Sequence, residues 1–148
     1  MTHLYLDTSA FLRACLREAP DHAAALALLD SEPRRLISSE LLAVEADRAA
    51  IRLASEDPSQ TEVAASIHEA LRRVSLVRLD PAILLAARTI PQGVTSLDAI
   101  HLATAEWLGD IVDCVVTYDK TMTAVARERG LTVHTAADLI GPSTPDAG

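Results

Sequence analysis

HLYLDTSAFL, residues His3 to Leu12, turns a short apolar run into a helix start and leaves a carboxylate, Asp7, at the junction. An apolar run of four residues closed by a capping-type residue reads as a buried strand passing into a helix. The pattern recurs along the chain. A strand is expected at Leu36–Ser38, then a helix from about Ser39 to Leu53 and another from Pro58 to about Arg73. Further strands are expected at Leu76–Leu79, Cys114–Thr117 and Leu131–His134. Between them lie a helix opened by Pro81, one over Leu97–Leu108 ended near Gly109, and one over Lys120–Arg129 stopped by Gly130. The first strand is followed by helices over Ser9–Glu18 and Asp21–Leu29, parted by Pro20. Strands alternating with helices predict an α/β domain with a largely parallel sheet covered on both faces.

The chain has 148 residues, 49% of them hydrophobic and 23% charged, which suits one domain over residues 1–141 with a frayed tail at 142–148. Cys15 and Cys114, the only cysteines, lack metal-ligand spacing and suit a reduced cytoplasmic setting. His3–Leu6 runs too quickly into Asp7 for a signal peptide, and no stretch approaches 18 uncharged apolar residues, so no membrane span is expected. A net charge of −8 argues against a broad nonspecific nucleic-acid surface but leaves room for local basic patches. Of 13 basic residues only Lys120 is lysine; Arg72, Arg73, Arg78 and Arg88 form one candidate group, and Arg34, Arg35, Arg48 and Arg52 another.

The acids carry the functional reading. Asp7 and Asp119 follow predicted strands and would lie at the carboxyl edge of a parallel sheet, where open α/β folds place their sites. Asp98 stands in the first turn of its helix, and Glu45 shares an apolar stripe with Leu41, Leu42 and Ala49. An unpaired carboxylate there costs several kcal/mol or neutralises, unless a cation joins it. Each acid also has a structural role open to it: Asp7 and Asp119 as helix caps, Asp98 as a first-turn acid, Glu45 as a partner of Arg48 or Arg52. Together they suggest hard oxygen ligands for Mg2+ or Mn2+ and hence phosphodiester chemistry.

HLYLDTSAFL, ISSELLAVEADRA, TSLDAIHLATAEWLG and TYDKTMTAVARERGLTV together resemble the ordered motifs of the PIN-domain family, in particular the VapC toxins of bacterial toxin-antitoxin modules. That resemblance spans nearly the whole chain. It implies a three-layer α/β/α domain with sheet order 3-2-1-4-5 and a Mg2+- or Mn2+-dependent endoribonuclease. Such an enzyme cleaves structured RNA, transfer or ribosomal, through metal-activated water, is held in check by a cognate antitoxin and commonly forms a homodimer. The family's acidic positions fall on Asp7, Glu45, Asp98 and Asp119. Asp7 and Asp98 are expected as direct ligands, Glu45 as a ligand directly or through water, and Asp119 toward a second ion or a bound water. Thr8 and Ser9 are expected to orient the Asp7 carboxylate or contact phosphate, Thr117 to hydrogen-bond into the same cluster, His101 to be structural, and an antitoxin arginine to be able to take the cation's place. The competing readings are a magnesium-binding receiver-like signalling domain, favoured by Asp80 after the third strand but leaving Glu45 unexplained, and a catalytically weak protein-binding regulator of the same fold. A haloacid-type phosphatase fits less well, because Asp7 is followed by Thr8 and Ser9 without a DxD arrangement.

Overall fold

A computed structural model describes residues 1–30, 32 and 34–141; the tail expected at 142–148 lies outside them. Five strands, β1 (Thr2–Leu6), β2 (Arg34–Ser39), β3 (Val74–Val77), β4 (Cys114–Val116) and β5 (Val133–His134), form one sheet in the order β3-β2-β1-β4-β5. Every neighbouring pair is parallel. Among the described residues eight α-helices connect and cover them: α1 (Thr8–Cys15), α2 (His22–Asp30), α3 (Leu41–Glu56), α4 (Thr61–Leu71), α5 (Pro81–Ala87), α6 (Ser96–Leu108), α7 (Lys120–Glu128) and α8 (Ala136–Ile140).

Strand periodicity builds the two cores. Successive side chains on a strand point to opposite faces. Leu4, Leu6, Leu36, Val74, Cys114 and Val116 therefore pack on one face with α1, α2, α3, α4 and Ala136 of α8. Tyr5, Ile37, Val115 and Val133 pack on the other with α6 and α7. Strands covered on both faces have little use for polar side chains, which is why they read as near-continuous apolar runs. The three-layer α/β/α fold and the sheet order agree with expectation.

Local boundaries differ in explicable ways. The third strand lies at Val74–Val77, two residues before the expected segment, because it pairs in register with Leu36–Ser39 of β2. The segment opened by Pro58 begins as a 3-10 turn under an Asp57 cap before α4 starts at Thr61. The short α8 was not anticipated, although its capping box, in which Thr135 accepts from the Asp138 amide and Asp138 from the Thr135 amide, is written in the sequence. Among the described residues no helix is long and apolar enough to cross a membrane.

Candidate metal centre at the carboxyl edge of the sheet

The strand order reverses between β1 and β4, and open parallel sheets form a crevice at the carboxyl ends of such neighbours. Asp7 leaves β1 there, its amide bonding Val116 O of β4 at 3.2 Å. Its carboxylate is 1% exposed and caps α1. Oδ1 accepts from Ala10 N at 2.9 Å and Ser9 Oγ at 2.8 Å, and Oδ2 accepts from Thr117 Oγ1 at 2.5 Å and the same Ser9 hydroxyl at 2.9 Å. Ser9 has one proton to give, so three donors face about four acceptor positions and one stays open. Burial raises the Asp7 pKa, and the bonds from Thr117, Ala10 and Ser9 oppose it.

The other three acids are tied to Asp7 or to one another. Thr117 Oγ1 also accepts from the Asp119 amide at 3.1 Å, while the Asp119 side chain caps α7 through Met122 N at 2.7 Å. Asp98 lies in the first turn of α6, whose cap is Thr95. Burial raises its pKa, and the charges of Asp119 and Glu45 push the same way, against the Thr95 hydrogen bond and the field of His101. Asp98 therefore senses Asp119 and Glu45 as like charges. The leading causes of the shifts of Asp7, Glu45 and Asp98 are burial, hydrogen bonds and neighbouring acids and His101 rather than a lysine or arginine. Among the described residues no three Asp, Glu, His or Cys side chains are close enough to enclose one ion as they stand. The donor set nevertheless suits a hard divalent cation: carboxylate oxygens, mutual repulsion and an open acceptor position on Asp7.

Glu45 does not pair with Arg48 or Arg52. Its Oε1 accepts from Thr8 Oγ1 at 2.6 Å and from His101 Nε2 at 3.0 Å, with 20% of the side chain exposed. Burial pushes its pKa up, but the hydrogen bonds from His101 and Thr8 together outweigh that and hold it below the usual carboxylate range. An ionised carboxylate only accepts, so His101 Nε2 must carry a proton. The far ring nitrogen, Nδ1, lies 2.8 Å from Tyr5 Oη. Burial pushes the Tyr5 pKa well up, so the phenol keeps its proton and, when the imidazole is neutral with its proton on Nε2, donates to Nδ1. Tyr5 and His101 are both 0% exposed, and they form a chain from the core of β1 through α6 to Glu45. This fits the expectation of a structural histidine and adds its partner.

Sequence reading put Asp7 and Asp119 at strand–helix junctions and Asp98 in a first helical turn, as the structure has them, and missed two features. The Tyr5–His101–Glu45 chain was hidden because Tyr5 and His101 are 96 residues apart. The second is a cavity whose cations belong to neither of the two arginine groups. Arg72 and Arg73 pair with Glu69 and Asp30 on the surface, and Arg48 and Arg52 flank a separate cavity with Ile51 and Ser55. Arg13, Lys120 and Arg127 instead line a cavity that shares Thr117 with the acid cluster. Glu40 and Asp113 bind the backbone amides of Leu79 and His3, and Trp107 is 56% exposed.

A parallel α/β/α sandwich with Asp7 and Asp119 at its switch point, and with Asp98 feeling the charges of Asp119 and Glu45, defines the class: an α/β domain with acids at the carboxyl edge of its sheet. The PIN domain family model matches residues 4–128, and the chain belongs to that family, with VapC-type toxins as its relatives. It is 35% identical over 134 residues to Ribonuclease VapC46 of Mycobacterium tuberculosis, covering 90% of this chain and 97% of the relative. The fold matches VapBC2 of Rickettsia felis, solved bound to a DNA fragment from the promoter, with TM-score 0.65 and 11% identity over 90% of this chain and 98% of that one. It also matches VapC20 of Mycobacterium tuberculosis, described as a Sarcin-Ricin loop cleaving toxin, with TM-score 0.61 and 17% identity over 82% and 93% of the two chains.

Proposed function

We propose that the chain is a divalent-metal-dependent endoribonuclease toxin that hydrolyses phosphodiester bonds in structured RNA and is restrained by a cognate antitoxin. The observation that carries this reading is the placing of Asp7 and Asp119 at the switch point, tied through Thr117, with Asp98 raised by burial first and then by the charges of Asp119 and Glu45. Family membership and relatives named as ribonucleases support it. Asp7, Glu45, Asp98 and Asp119 would hold magnesium or manganese, with Asp7 and Asp98 as the leading ligands. When bound, the ion supplies charge neutralisation at the phosphate and a lowered pKa for the attacking water.

The chain's own residues account for the rest. Thr117, Ser9 and the Ala10 amide fix the Asp7 carboxylate, so it meets a cation without first losing rotamer freedom. Thr8 and His101 do the same for Glu45 and keep it ionised. Because the acids repel one another when no cation is present, an arginine inserted by a partner protein would find the same electrostatic welcome as the metal, which suits inhibition by an antitoxin. A receiver-like phosphoacceptor role is less well supported. Asp80, the residue that suggested it, lies on the exposed surface and caps α5 through Ala82 N at 2.8 Å.

The test is calorimetric titration of Mn2+ into the purified protein, run beside incubation with total cellular RNA in Mg2+, Mn2+ or EDTA. The expected result is saturable binding and discrete cuts that EDTA abolishes. Neither binding nor cutting by folded protein freed of its partner would overturn the reading.

A further inference from the structure

We infer that the cavity between α1, α7 and the start of α8 is a seat for the RNA backbone, taking a phosphate that flanks the scissile one. The inference rests on the nuclease reading and names a surface that reading does not use. The cavity has a volume of about 560 Å3 and is lined by Arg13, Tyr118, Lys120, Arg127 and three threonines, Thr117, Thr123 and Thr135. That lining holds three cations and no carboxylate, in a chain whose net charge is −8. A polyanion held by such a protein needs local cations, and these lie beside the acid cluster. Thr117 belongs to both, since its hydroxyl donates to Asp7 Oδ2, and Lys120 directly follows Asp119.

The cations are prepared to different degrees. The Arg13 guanidinium lies 4.0 Å over the Tyr118 ring and donates Nη1 to Pro20 O at 3.0 Å. Arg127 donates Nη2 to Val133 O at 3.1 Å and feels the charge of Asp138. A guanidinium has five N–H donors, so each arginine is held in place with donors to spare. Lys120 is exposed, and its ammonium has no partner among the described residues. The ligand chemistry that matches fixed arginines with spare donors and one free ammonium is an acceptor-only phosphodiester. An acidic peptide offers similar charge. RNA is favoured because the cavity is continuous, through Thr117, with the carboxylates proposed to act on RNA.

The experiment measures anisotropy of fluorescein-labelled bulk transfer RNA with magnesium present, in an Asp98→Asn background that spares the probe. Lys120→Glu and Lys120→Glu/Arg127→Gln are compared with Arg72→Glu, the same charge change at a surface arginine on the C-terminal side of α4. Lys120→Glu is expected to weaken binding about tenfold and to reduce the slope of log affinity against log salt by roughly 0.7–0.9, one phosphate contact. The double variant weakens it further, and Arg72→Glu leaves it unchanged. In the otherwise wild-type protein Lys120→Glu raises KM and spares kcat. Circular dichroism at the wild-type level keeps the comparison valid for folding, and a glutamate in the first turn of α7 suits the helix dipole.

Wild-type cleavage with RNA binding equal in all three variants would overturn the seat and leave the nuclease standing. Loss of poly-glutamate binding in Lys120→Glu with RNA binding retained would also overturn it, in favour of a peptide site. A wild-type protein that neither binds nor cuts RNA would remove both the seat and the function beneath it.

Discussion

Tyr5→Phe removes one oxygen atom from the core and tests the chain that holds Glu45. Tyr5 Oη and His101 Nδ1 are 2.8 Å apart, and both residues are 0% exposed. The ring of the variant still fills its place against Ile37 and Leu102, so the packing loss is small. What remains is a buried imidazole whose Nδ1 has lost its hydrogen-bond partner. Leaving such a group unpaired costs about 1–3 kcal/mol, and the easier burial of Phe offsets part of it. A net loss of about 1–2 kcal/mol lowers the midpoint by roughly 3–8 °C in a domain of this size. Urea unfolding of wild type and variant measures it, and nitrogen NMR of the His101 ring reports whether Nε2 still carries the proton. An unchanged midpoint with an unchanged ring spectrum would refute the hydrogen-bond chain.

Asp7→Asn should stabilise the metal-free protein at neutral pH. Below the unfolded carboxyl's pKa of about 4 both states are protonated and Asp7 costs nothing; above it the unfolded state ionises first, so the raised folded pKa makes stability fall as pH rises. Asn caps helices as well as Asp does, so the gap between variant and wild type should close near pH 4, and urea unfolding at pH 4 and pH 7 reads it. Saturating Mn2+ should stabilise the wild type, by about 2.7 kcal/mol at a hundred times Kd, and the variant far less; equal shifts in thermal denaturation would remove Asp7 from the ligand set. Thr117→Val keeps the shape but withdraws the bond to Asp7 Oδ2 and the acceptor for the Asp119 amide, with an expected cost of roughly 1–3 kcal/mol and weaker Mn2+ binding by calorimetry. Glu45→Gln should retain the fold, since Gln still accepts from Thr8 and His101, while losing most metal affinity; full Mn2+ affinity would count against Glu45 as a ligand.

Much of this was legible because strand, turn and cap chemistry are local. Apolar runs ending in Asp7 and Asp119 announced the strand–helix junctions, and the structure puts both at the carboxyl edge, each capping the helix that follows. The capping role of these acids is the one the structure displays, and it does not compete with the proposed one, since a capping carboxylate keeps lone pairs to spare. Glu45 stood out on its apolar stripe, yet its partners lie on α1 and α6, beyond the reach of helical spacing. Periodicity cannot reveal which side chains meet across a sheet, so the Tyr5–His101 contact stayed hidden. The same limit hid the cavity, since Arg13 and Arg127 are far apart in sequence and α1 and α7 bring them together. The sheet order came from the family resemblance; alternation of elements predicts a parallel sheet but not the neighbours of β1.

The most direct measurement is cleavage of total cellular RNA by wild-type protein and by Asp7→Asn and Asp98→Asn variants in Mg2+ or Mn2+, with the product ends mapped. Discrete cuts bearing 5′-phosphates from the wild type, lost in both folded variants and in EDTA, are the predicted result. Cuts that persist undiminished in both variants would contradict the assignment of the acid cluster as the metal-dependent centre.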